Sequence, residues 1–218
     1  MKIRLQFEKN IKYISHLDLM KAVQKILKRT GYPLKYSEGF NPHMVLSIAN
    51  PLPLGIVGKK EFLDFELKTD AISFGEIKEK LTLASPKGIV PVEIYTEDGT
   101  LIKKLKNFNL TTNADYDISI RTSQRDNIRK FLEQETIPVE KFSKGKTKTI
   151  DLKELIFRYE LTDTEDGVQL FLNCACGNEK NLNPLLLKKA MQTAGIEIAA
   201  FSPVRLGFYD DQGNGFDA

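Results

Sequence analysis

The sequence predicts an α+β protein made of two halves, each a mostly antiparallel sheet with helices on one face. Three observations carry the prediction. Strand-like alternation and helix-like spacing follow one another from Met1 to Tyr95. The same succession starts again at Tyr116, after a polar stretch. Between two later apolar runs stands Asp166-Gly167, a strong hairpin signal.

In Met1–Glu8, Ile3, Leu5 and Phe7 point one way and Lys2, Arg4, Gln6 and Glu8 the other, which predicts a half-buried strand with a charged outer face. A helix follows from Ser15 to about Thr30 and stops at Gly31, with Pro33 beyond. Ser15 and Asp18 suit a capping pair, and Asp18 suits the positive end of the helix dipole. Leu19, Met20, Val23, Ile26 and Leu27 form the apolar stripe. Lys21, Lys25, Lys28 and Arg29 take the other side, either as a solvated face or as a cationic ridge for phosphates.

Met44–Ile48 reads as a short strand and residues 50–58 as a Pro- and Gly-rich connector. A strand follows over Glu61–Leu67, where Phe62 falls among the acids and leaves the buried face open. Ser73 caps a helix to Leu83, and Ile89–Tyr95 is a strand that Pro91 assigns to an edge. In the second half, Tyr116–Arg121 is a strand and Ser123 caps a helix to about Glu135. Ile137–Phe142 is a strand, and Leu155–Thr162 and Val168–Cys174 form the hairpin. Asn183–Thr193 is a helix with Pro184 in its first turn, and Ile196–Tyr209 is a last strand, broken at Pro203. The boundaries are 1–98 for the first half, 99–114 for a linker, 115–210 for the second half and 211–218 for a frayed tail. Two ferredoxin-like, or RNA-recognition-like, α+β halves fit this order.

The density of chemistry is greatest in Tyr36-Ser37-Glu38-Gly39-Phe40-Asn41-Pro42-His43. Gly39 permits positive φ, Asn41-Pro42 is a turn pair, and the polar Ser37, Asn41 and His43 cluster with the rings of Tyr36 and Phe40. A ligand or nucleotide site needs such a cluster, and so does a well-tied structural loop. His16 opens the preceding helix; with His43 it makes an acid–base pair if the two meet, with Asp18 or Glu38 to orient them. Ser37 is a nucleophile only if a histidine lies within hydrogen-bond reach. Two histidines are too few for a metal site, so no metal and no cofactor are expected.

Ser15-His16-Leu17-Asp18, then Tyr36–His43, then Pro51-Leu52-Pro53-Leu54-Gly55 give the chain its family likeness. With these motifs in this order it resembles the radical-SAM-linked protein family of bacteria. The resemblance implies a domain encoded beside, or fused to the C-terminus of, a radical SAM protein, and hence a radical SAM partner. It implies no settled activity. Met44 departs from the pattern, which has a second proline after the histidine.

Hydrophobic residues make up 41% of the 218 and charged residues 28%, with a net charge of +3, so a basic surface has to come from clustering. Lys144, Lys146 and Lys148 alternate in a second basic stretch, which tracks a phosphate backbone or keeps a hairpin tip solvated. The two cysteines, Cys174 and Cys176, fall short of a cluster or zinc set and read as small residues at a strand end. No long apolar run or signal-peptide core is present, so a cytoplasmic location without membrane attachment is expected. The functional expectation is an accessory protein that binds RNA, such as tRNA or rRNA, for a radical SAM enzyme. The alternatives are a subunit that docks that enzyme without RNA, and a small enzyme using His16 and His43.

Overall fold

A computed structural model describes residues 1–69, 73–96, 107–143 and 146–216. The chain is α+β and divides into two compact units, one of residues 1–110 with the C-terminal residues from Gln212 on, the other Thr111–Asp211.

The first unit runs β1 (Lys2–Lys9), α1 (His16–Arg29), β2 (Leu46–Ile48), β3 (Val57–Glu66), α2 (Phe74–Ala84) and β4 (Ile89–Thr96). Its strands lie in the order β4-β1-β3, with β2 also on β3, and all these pairings are antiparallel. This is the ferredoxin-like arrangement. Ile3, Leu5 and Phe7 of β1 meet Leu19, Val23, Ile26 and Leu27 of α1 and Ile77 and Leu81 of α2 in one core. β4 is an edge strand, so Pro91, which lacks a ladder donor, is tolerated opposite Phe7.

The second unit runs β5 (Asn113–Arg121), α3 (Arg125–Glu133), β6 (Pro138–Ser143), β7 (Lys146–Asp151), β8 (Ile156–Thr164), β9 (Gly167–Ala175), α4 (Pro184–Thr193) and β10 (Ala200–Tyr209). Its sheet order is β10-β5-β9-β8, the same topology as the first unit, with β6 and β7 added as a separate hairpin after α3. Ala114, Tyr116, Ile118 and Ile120 of β5 alternate into the core, as do Val168, Leu170, Leu172 and Cys174 of β9.

Several expectations need correction. While Lys2, Gln6 and Glu8 stay partly exposed, the charged outer face of β1 is covered at Arg4, which is 1% exposed. Phe108 and Phe216 cover it, with the Arg4 guanidinium 4.1 Å from the Phe108 ring centre and donating to the Phe216 carbonyl at 3.2 Å. The tail is therefore not frayed at Phe216, which is itself buried. β3 has no single buried face, because Glu61, Phe62, Leu63, Asp64 and Phe65 are all buried. Ser123 does not cap α3; the cap position is Gln124, which makes no capping bond. Instead the Thr122 hydroxyl accepts from the Gln124 amide and donates to the Glu197 carbonyl. The last strand starts at Ala200 and runs through Pro203, and its irregularity lies between Arg205 and Gly207.

Candidate functional site

The three motifs all fall in the first unit. Ser15 is the N-cap of α1. Its Oγ accepts from the Asp18 amide at 3.1 Å and donates to the Asp18 carboxylate at 2.7 Å. Ser15 and Asp18 are thus occupied in holding the first helical turn. His16 and Leu17, the two residues between them, face solvent, Leu17 with 71% exposure.

Beyond this turn the helix separates its faces. Leu19, Val23, Ile26 and Leu27 are buried, and Lys21, Lys25, Lys28 and Arg29 are exposed. Lys21 lies 4.0 Å from Asp18. Among the described residues, Lys25, Lys28 and Arg29 have no carboxylate partner within ion-pair distance. Of these, Lys28 and Arg29 lie in the last turn of α1, where the negative end of the helix dipole favours them.

The Tyr36–His43 segment is the tip of a hairpin. Tyr36 and Met44 form an antiparallel bridge, and Val45 donates to the Lys35 carbonyl at 3.0 Å. The root is anchored by Leu34 and Met44 in the core and by the Lys35 amide bonded to the Glu66 carbonyl at 2.9 Å. At the tip the Ser37 amide donates to the His43 carbonyl at 2.8 Å, and the His43 amide donates to Ser37 Oγ at 3.1 Å. Ser37 Oγ also lies 2.8 Å from His43 Nδ1. The tautomer of His43 decides which of the two donates, and Nε2 takes the opposite role to Nδ1 in a neutral ring. Gly39 has a φ of +118°, a region side chains rarely enter. Phe40 beside it is fully exposed, at 106%. Tyr36 is exposed more modestly, and Asn41 is exposed.

The structure brings Ser37 and His43 together but does not bring His16 to them. α1 begins after the Lys9 end of β1, which is paired with Gly58, whereas the hairpin root is tied to Glu66, the register partner of Lys2. Those roots are at opposite ends of β3, about 26 Å apart at strand rise. Among the described residues neither Asp18 nor Glu38 bonds the His43 ring, so a Ser–His pair is present without a third group to orient it.

The third motif is held from two sides. Gly55 donates to the Lys12 carbonyl at 2.8 Å, and the buried Lys9 ammonium donates to the Ile56 carbonyl at 2.8 Å. In the first bond each residue has an exposed apolar chain neighbour, Leu54 at 53% before Gly55 and Tyr13 at 84% after Lys12. Sequence reasoning missed Tyr13, which sits outside any periodic segment. Leu17 was within reach of it, since it falls off the buried stripe of α1.

In the second unit, Lys144 lies outside the described residues. Lys146 opens β7, and Lys148 is exposed and in register with Lys141. Burial, then the neighbouring Cys176, pushes the Cys174 thiol pKa up, so Cys174 is not a poised nucleophile. Among the described residues no three His, Cys, Asp or Glu side chains gather to hold a metal. Nor is any described helix long and apolar enough to cross a membrane.

A family described as uncharacterized proteins conserved in bacteria, DUF2344, matches residues 2–184. The chain belongs to the DUF2344 family. The match takes in all three motifs and ends at the first residue of α4. No curated protein matches the chain.

Proposed function

We propose that this DUF2344 member is a non-catalytic accessory protein that binds RNA, of the tRNA or rRNA class, for modification by a radical SAM enzyme. The observation that carries the RNA reading is the exposed stripe of Lys21, Lys25, Lys28 and Arg29, with the last three lacking a carboxylate partner among the described residues. Such a stripe releases counterions when it meets phosphates. The likeness to the radical-SAM-linked family supports the choice of partner.

The sheets themselves are poor platforms. In the first unit the face opposite the helices is occupied over Arg4 by Phe108 and Phe216. In the second, Asp115 and Asp117 alternate with the buried residues of β5 and so lie on the other face. Their carboxylates take hydrogen bonds from Asn173 and Gln169, so polar side chains of that face are already engaged with one another. The reading therefore rests on the helix and the hairpin.

The test is binding of the purified protein to bulk tRNA and rRNA across a salt series, beside a variant with the four α1 cations changed to glutamate. Affinity that falls steeply with salt and is lost in the variant supports RNA binding. No complex at low salt removes it. The exposed Tyr13, Leu17 and Leu54 favour a second reading, a subunit that docks the radical SAM protein without RNA. Pull-down of that partner with the 50–58 loop altered separates the two.

A further inference from the structure

The hairpin presents to solvent a ring for which the fold itself has no use. Phe40 is fully exposed at 106%, yet the segment carrying it is not loosely held. Leu34 and Met44 are buried at its root, and three contacts between Ser37 and His43 close the tip. Gly39, at φ +118°, turns the chain immediately before the ring. The ring is held out on a pre-formed support, so little order is lost when something covers it.

The surroundings select the partner. A protein-binding hot spot sits in an apolar setting that excludes water. Beside Phe40 the exposed residues Glu38, Asn41 and His43 are polar, and Pro42 is the one apolar neighbour at the tip. The contact from Ser37 engages Nδ1 and leaves Nε2 of His43 as a second polar atom, a donor or an acceptor according to the tautomer, and Asn41 adds an amide with both donor and acceptor. A π face edged with single donors and acceptors matches a nucleobase, which has a flat face and a hydrogen-bonding edge. Bases in a duplex are stacked on both sides, so only an unpaired base can present that face.

We propose that the Ser37–His43 apex binds an unpaired nucleobase stacked on Phe40, so that the protein selects single-stranded or loop RNA over duplex. The proposal rests on the RNA reading above: the α1 cations supply charge attraction, and the apex supplies selection.

Two probes test it, a stem-loop RNA with 2-aminopurine in the loop and a fully paired RNA of equal length. The wild-type protein binds the stem-loop more tightly and changes the fluorescence of the base. Phe40→Ala weakens stem-loop binding about tenfold, leaves duplex binding unchanged and abolishes the fluorescence change, while Phe40→Trp retains all three properties. The ring has no packing to lose, and an unaltered urea midpoint verifies that the variants fold. An equal preference for both probes in the wild type, with salt-dependent binding intact, overturns the apex assignment alone. An undiminished fluorescence change in Phe40→Ala does the same. So does a Phe40→Ala variant that keeps its RNA binding but loses the radical SAM protein in a pull-down. Absence of binding to either probe at low salt overturns the RNA reading and the apex with it.

Discussion

Arg4 and Asp64 form a two-pronged ion pair, Nε to Oδ1 at 2.7 Å and Nη2 to Oδ2 at 2.9 Å, between neighbouring strands of the first unit. Lys2 adds a second cation 3.3 Å from the same carboxylate. The pair is closed over by Phe108 and Phe216, whose ring centres lie 5.8 Å apart. A charge so deeply buried is stable only while its partner is present.

Asp64→Ala is therefore expected to destabilise the first unit by about 3–5 kcal/mol, because it removes the carboxylate that the buried Arg4 guanidinium grips with two bonds. Arg4→Met combined with Asp64→Leu recovers most of that loss, since apolar groups of similar volume suit the same space. Urea unfolding of the two variants is the measurement. An Asp64→Ala midpoint equal to that of the wild type shows that water reaches the site.

This cluster also marks where the sequence stops being legible. The α1 helix, its Ser15 cap and the hairpin at Asp166-Gly167 are local features, and each is written in a few adjacent residues. The repeat of element order in both units could be read for the same reason. The burial of Arg4 could not, because its cover comes from Phe108 and from Phe216, which is 212 positions away. Alternation in β1 correctly separates two faces but cannot say that the charged one is covered at Arg4. At the candidate site, the cationic stripe follows from helical spacing. The Ser37–His43 bond does not, since it depends on how the turn at Gly39 closes.

Gly167 is where one methyl group is expected to do most harm. A Cβ there would lie 2.0 Å from the Ile120 carbonyl oxygen and 2.9 Å from the Thr122 amide nitrogen. Both are backbone atoms of the neighbouring chain segment and cannot rotate aside. Gly167→Ala is expected to cost about 2 kcal/mol or more, within the range of overpacking and backbone strain. Chemical denaturation measures it. An Ala variant as stable as the wild type means that the β5–β9 pairing shifts easily at this end.

Acid is expected to weaken the first unit in a defined window. The Glu8 carboxyl is held below its usual value of 4.5 by hydrogen bonds, first from Asn10 and then from Lys59. Glu93 is held down first by the Ile94 amide. A pKa lowered by folding gives stability that is complete above the unfolded value and is lost as pH falls through the lower folded one. The urea midpoint should hold down to about pH 4.5 and decline below it. Lys59→Ala and Asn10→Ala each flatten that decline without moving its upper end. Variants whose acid limb matches the wild type would assign the loss to other carboxylates.

The first motif divides its residues between structure and surface, and the division can be measured. Ser15 closes the first turn of α1 through two bonds to Asp18. Ser15→Ala is expected to cost about 1 kcal/mol of stability, the usual worth of such a cap. His16 faces solvent without a hydrogen bond among the described residues, so His16→Ala is expected to change stability by no more than about 0.5 kcal/mol. If the motif serves only the fold, every effect of the pair on RNA or partner binding follows from Ser15 and scales with lost helix. If the surface is used, His16→Ala weakens binding at unaltered stability. Circular dichroism melts run beside binding titrations decide it, because one residue then moves the first readout and the other the second.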